Sequence, residues 1–130
     1  MGSGGGFPVI ILAILLPQYK FAGIESKLKK TNFLNMVKQE LLLNNLTIYT
    51  ANVNECLAKI SASVYTAKAF KPYNEVIKLL KKFSEPNAFG IIPISKDQFQ
   101  EIQSQQTKQK AIFTLINQDP FYYIKFAPSV

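Results

Sequence analysis

Nucleophilic and acid/base chemistry has few residues to draw on in these 130 residues: there is no His, no Trp and no Arg, and Cys56 is the only thiol. A nucleophile needs a base beside it, and without His that base would have to be Lys, Asp or Glu. Cys56 falls on an apolar stripe with Val53, Leu57 and Ile60, where a cysteine acts as a small core residue. The acids are Glu25, Glu40, Glu55, Glu75, Glu85, Asp97, Glu101 and Asp119. Most of them fall on predicted helices or their first turns. Paired carboxylates for proton transfer or Mg²⁺ are more often gathered at strand ends. Asp97 and Glu101 stand one helical turn apart, with Lys96 alongside, and read as a solvated first turn that complements the helix dipole. No Cys/His metal spacing exists, so the sequence implies neither a catalytic residue nor a metal nor a cofactor.

The lysines are the one positive feature. All 15 basic residues are lysine and face 8 acids, for a net charge of +7. Lys78, Lys81 and Lys82 recur at i, i+3 and i+4 on the outer side of a predicted helix, and Lys71 lies seven residues before Lys78 on the same line. Lys68 and Lys71 are interleaved with aromatics in Tyr65-Thr-Ala-Lys68-Ala-Phe70-Lys71-Pro-Tyr73, the pattern of a stacking platform for single-stranded nucleic acid. The expected site is therefore a contact surface of Lys68, Lys71, Lys78, Lys81 and Lys82 for an acidic protein, a nucleic acid or an anionic membrane. Without Arg, bidentate reading of base edges is not available.

The elements that would position these residues come from periodicity. Residues 1–6, Met-Gly-Ser-Gly-Gly-Gly, have no side chains to pack and read as a linker or expression scar. The phosphate-cradling glycines to weigh are then Gly23 and Gly90, and neither has G-x-G spacing. Residues 7–16 are an uncharged apolar run between Pro8 and Pro17, too short as a helix to cross a bilayer. The run reads as a buried central strand or as the end of a longer apolar helix. Helices are expected over 24–43 and from Asn52, capped with Glu55, to Ala67, with a short strand over 46–49 between them. A third helix opens at Pro72 with Tyr73, Val76, Ile77 and Leu80 inward. Residues 88–94 form a strand that Gly90 and Pro93 mark as bulged or at an edge. Ser95 and Gln98 cap a helix, and 111–116 and 121–126 flank Asn117-Gln-Asp-Pro120 as a hairpin. The order β α β α α β α β β gives a single α/β domain over residues 7–130. Its mixed sheet has about five strands, with helices on both faces and a C-terminal hairpin.

The stretch Ile11-Leu-Ala-Ile-Leu-Leu-Pro-Gln-Tyr19, followed by Lys20, Ala22 and Ser26-Lys27, resembles the point where type IV pilins and pseudopilins leave their hydrophobic N-terminal helix. The resemblance implies a helical run over 7–16 that packs against neighbouring subunits, and a self-associating assembly subunit. It covers about 20 residues and departs from the family pattern in lacking the charged residue before the glycine and the first half of the helix.

The functional expectation is a non-catalytic basic interaction module, with a pilin-like filament or secretion subunit and a small Lys/carboxylate enzyme as alternatives. Partners would be an acidic macromolecule or a second copy, with no full membrane span. One thiol and no disulfide is compatible with the cytosol.

Overall fold

The computed structural model describes residues 8–67, 72–83, 85–105 and 113–127. The chain forms two compact units, Met1–Ile60 and Ser61–Val130.

The first unit runs α1 (Val9–Leu15), β1 (Phe21–Glu25), α2 (Leu28–Glu40), β2 (Leu46–Thr50) and α3 (Val53–Leu57). Strands β1 and β2 are parallel, with Phe21 opposite Leu46 and Glu25 opposite Thr50, and α2 makes the crossover. Of the two readings of the apolar run, strand or helix end, the structure has the helix, over Val9–Leu15. Val9, Ile10 and Ala13 share one face and pack with Leu34, Leu43 and Leu46, whereas Ile11, Ile14 and Leu15 are exposed. Spacing of i, i+1 and i+4 is a helical face; a run this short and this apolar does not reveal its period until a partner surface selects one side. Asn45 fastens the end of α1: its Nδ2 donates to the carbonyls of Ala13 at 3.0 Å and Tyr19 at 3.1 Å, while its own carbonyl accepts from Phe21 N at 2.8 Å.

Two predicted helices start or stop elsewhere. The one expected over 24–43 is preceded by β1, and Gly23 lies inside that strand opposite Ile48 rather than in a loop. The one expected from Asn52 to Ala67 ends at Leu57. Asn52 Oδ1 does cap it, accepting from Asn54 N at 2.9 Å, but Val64-Tyr65-Thr66 leaves as β3. β-branched and aromatic residues that fit a helical face in projection fit a pleated one better once a neighbouring strand is available.

The second unit runs β3 (Val64–Thr66), α4 (Tyr73–Phe83), β4 (Phe89–Ile94), α5 (Lys96–Gln105), β5 (Phe113–Gln118) and β6 (Phe121–Phe126). Its four-stranded sheet has the order β3-β4-β6-β5. β3 and β4 are parallel, and the returning hairpin strand β6 is inserted antiparallel between β4 and β5. The α/β class and the mixed sheet expected from the sequence are both present. β4 is interior, not an edge; Pro93 is accommodated because β3 pairs only as far as Ile91, so no ladder bond is required of Pro93 on that side. Gly90 allows a close approach: a Cβ there would stand 2.5 Å from Cδ1 of Leu80, a buried residue of α4. Ser95 and Gln98 exchange the reciprocal capping-box bonds at 3.0 and 3.1 Å. The sheet face bearing Gly90, Ile124 and Phe126 carries the helices, with Tyr73 edge-on to Phe113 and Phe99 against Tyr122.

Candidate functional site

In open α/β sheets ligands bind beyond the carboxyl ends of parallel strands. At the end of β1 stands Glu25, only 7% exposed. Its Oε1 accepts a hydrogen bond from Lys27 N at 3.2 Å, and its backbone carbonyl accepts from Ala51 N at 3.1 Å. Strand alternation puts Glu25 on the side of Phe21, which packs against the α1 cluster. A connection of five residues makes α1 and β1 antiparallel, so the start of α1 and the Glu25 end of β1 lie at one edge of this unit. At the same edge Thr50 Oγ1 donates to the fully buried Thr31 Oγ1 at 2.8 Å, which donates to Leu28 O at 3.0 Å, tying β2 to the first turn of α2. The N-cap Lys27 gives α2 no side-chain capping bond.

Cys56 is buried on α3, as its place on the apolar stripe implies. Burial raises its thiol pKa, and the Lys59 ammonium pulls weakly the other way, so the group stays a thiol at neutral pH. No group of three His, Cys, Asp or Glu side chains that could hold a metal ion occurs among the described residues. Asp97 and Glu101 lie on α5, where Gln105 Nε2 donates to Glu101.

Of the expected contact residues, Lys78, Lys81 and Lys82 are exposed on α4, while Lys68 and Lys71 lie outside the described residues. The stacking pattern around them does not hold at its ends. Tyr65 is buried on β3, and Tyr73, half-buried on α4, stands edge-on to Phe113, so both rings already have partners within the chain.

The α/β fold is one that solved methyltransferases have. Solved structures share it: a SAM dependent methyltransferase from Aquifex aeolicus superposes with a TM-score of 0.66 at 14% identity over 97% of this chain and 78% of that one. Precorrin-6y C5,15-methyltransferase from Geobacter metallireducens GS-15 does so with 0.66 at 13% over 100% and 78%. More particularly, the profile of the GidB family, rRNA small subunit methyltransferase G, matches residues 1–124, and the chain belongs to that family. Its relatives include the ribosomal RNA small subunit methyltransferase G of Borreliella burgdorferi strain ZS7, 34% identical over 116 residues, 89% of this chain and 54% of that protein. The enzyme of the same name from Campylobacter jejuni serotype O:2 is 34% identical over 104 residues, 80% and 55%. The chain spans about half the length of the curated relatives it matches.

Family membership overturns two expectations. The pilin resemblance rested on residues 11–30, and in the structure α1 is a seven-residue helix that buries one face in a βαβ core. A non-catalytic interaction module is likewise replaced by a family of methyltransferases. Periodicity alone places Glu25 among the helix charges of residues 24–43, whereas it ends β1. The signal that finds it is spacing: Gly2-Ser3-Gly4 is a G-x-G step directly before the apolar run, and Glu25 follows Gly4 by 21 residues. Residues 1–6, read as a linker, lie outside the described residues but inside the matched span.

Proposed function

We propose that this chain forms the S-adenosylmethionine-binding part of an RNA methyltransferase. The observation that carries the reading is Glu25, a buried carboxylate at the carboxyl end of β1, beside the start of the helix that follows a G-x-G segment. The donor set fits the cofactor's nucleoside. A carboxylate accepts from two neighbouring ribose hydroxyls, and Lys27 N–H, bound to one oxygen, orients the group and leaves its other lone pairs for the ligand. Gly2 and Gly4, without Cβ atoms, suit a close approach of backbone to the ligand. When bound, S-adenosylmethionine supplies an electrophilic methyl group on its sulfonium. The relatives' names indicate RNA as the acceptor, and a net charge of +7 favours a polyanion. A ribosomal RNA substrate supports a cytoplasmic setting, which a single free thiol suits. No helix among the described residues is long and apolar enough to cross a membrane.

Calorimetric titration of the chain with S-adenosylmethionine tests the reading. Hydrogen bonds to a charged partner contribute about 1.5–3 kcal/mol. On that basis Glu25→Ala weakens binding roughly 10- to 100-fold, and Glu25→Gln, which keeps one neutral acceptor, weakens it less. A folded wild-type chain that releases no binding heat at millimolar ligand sinks the proposal.

A further inference from the structure

We infer that the outer face of α4, Lys78, Lys81 and Lys82, is a contact surface for the phosphate backbone of the RNA. The inference rests on the reading of RNA as substrate. Val76, Ile77 and Leu80 are 1%, 6% and 1% exposed, which fixes the rotation of α4 and turns the three lysines outward. They fall within a single turn, about 6 Å of helical rise. α4 carries these three lysines and one acid, Glu75. The neighbouring α5 carries Lys96 against Asp97 and Glu101, so positive charge is concentrated on one of the two helices that cover this sheet. Lysine is a hydrated point charge that pairs with phosphate without reading bases, and a chain with no Arg lacks the guanidinium fork for base edges. Such a surface positions RNA without specifying its sequence.

The helix dipole offers a different reason for Lys81 and Lys82, which lie in the last turn of α4. It gives none for Lys78, one turn earlier. Nor is it a general requirement in this chain, since α5 ends with no basic residue in its last turn. Lys82 Nζ also stands 5.0 Å from the Phe83 ring centroid, which holds that ammonium at the surface of the helix end.

Fluorescence anisotropy with a labelled RNA oligonucleotide, read across salt concentrations, tests this. The variants are K78Q/K81Q/K82Q and, as a control of equal charge loss, K20Q/K38Q/K59Q. Each phosphate contact contributes roughly 0.7–0.9 to the slope of log affinity against log salt. The α4 variant is expected to flatten that slope by about 2 and to bind roughly 10- to 100-fold more weakly near 0.1 M salt. The control should lose less than half of that, and both should bind S-adenosylmethionine as the wild type does. A dipole role would lower thermal stability without moving the slope. The inference is overturned if the α4 variant loses no more than the control, if poly-L-glutamate competes as well as RNA, or if the wild type does not bind RNA at low salt. In the last case calorimetry separates the two readings: a chain that binds S-adenosylmethionine but not RNA loses only this surface, and one that binds neither loses both.

Discussion

Tyr65 illustrates how a single buried atom can be at odds with its surroundings. The residue is 6% exposed, yet its phenol oxygen has no hydrogen-bond partner among the described residues. A buried hydroxyl left unpaired costs about 1–3 kcal/mol, whereas the ring itself packs as any aromatic does. Tyr65→Phe is therefore expected to leave the urea midpoint unchanged or to raise it; a loss above about 1 kcal/mol would show that the oxygen is bonded in solution. Cys56 makes a prediction in pH. Its folded pKa is raised by burial, so the folded state holds its proton after the unfolded chain has begun to lose it. The contribution is intact below the unfolded thiol's pKa, about 8.5, and declines as pH rises from there through the folded value. Denaturation midpoints measured from pH 7 to 10 should fall more steeply for the wild type than for Cys56→Ala, whose curve lacks this component. Equal slopes would mean that the thiol is not shielded.

At the scale of elements, the end of α2 closes in a Schellman motif built on the wrong residue type. Leu43 N donates to Lys38 O at 3.0 Å and Leu42 N to Gln39 O at 3.2 Å, with Leu42 in the left-handed region at φ 52°. A side chain in that conformation costs roughly 1–2 kcal/mol, and Leu42 recovers little by packing because it is 79% exposed. Leu42→Gly removes the strain but adds freedom to the unfolded chain, about 0.5–1 kcal/mol in the opposite sense. The net expectation is a gain of roughly 0.5–1 kcal/mol in chemical denaturation; a loss would mean that the leucine is covered in solution. Elements also mark the limit of periodicity. Asn52, the Ser95/Gln98 pair and the hairpin were readable because each depends on bonds within a few residues. α1, β1 and β3 were not, because Val9 to Leu16 and Val64 to Thr66 are apolar enough to serve either period until a partner surface is present.

For the molecule as a whole, a ligand that binds only the native state must stabilise it. S-adenosylmethionine at 100 times its dissociation constant adds about 2.7 kcal/mol. The thermal midpoint of the wild type should then rise by several degrees, and that of Glu25→Ala by no more than about half as much at the same concentration. An equal rise in both would place the ligand away from the end of β1.

By itself the sequence determined the α/β class, the capped and amphipathic helices, the closing hairpin and the outward lysines of α4, because each follows from composition or from spacings shorter than two helical turns. It also contained Gly2-Ser3-Gly4 and Glu25, whose separation is meaningful only once a helix and a strand are known to lie between them. That was decided by tertiary structure. Burial of Val9, Ile10 and Ala13 against Leu34, Leu43 and Leu46 made the apolar run a helix, and this turned β1 so that a carboxylate which looked like surface charge stands buried at a strand end. The physical reason is that apolar burial is non-directional: it specifies that a segment goes inside, and only the surface it meets chooses which of its faces does so.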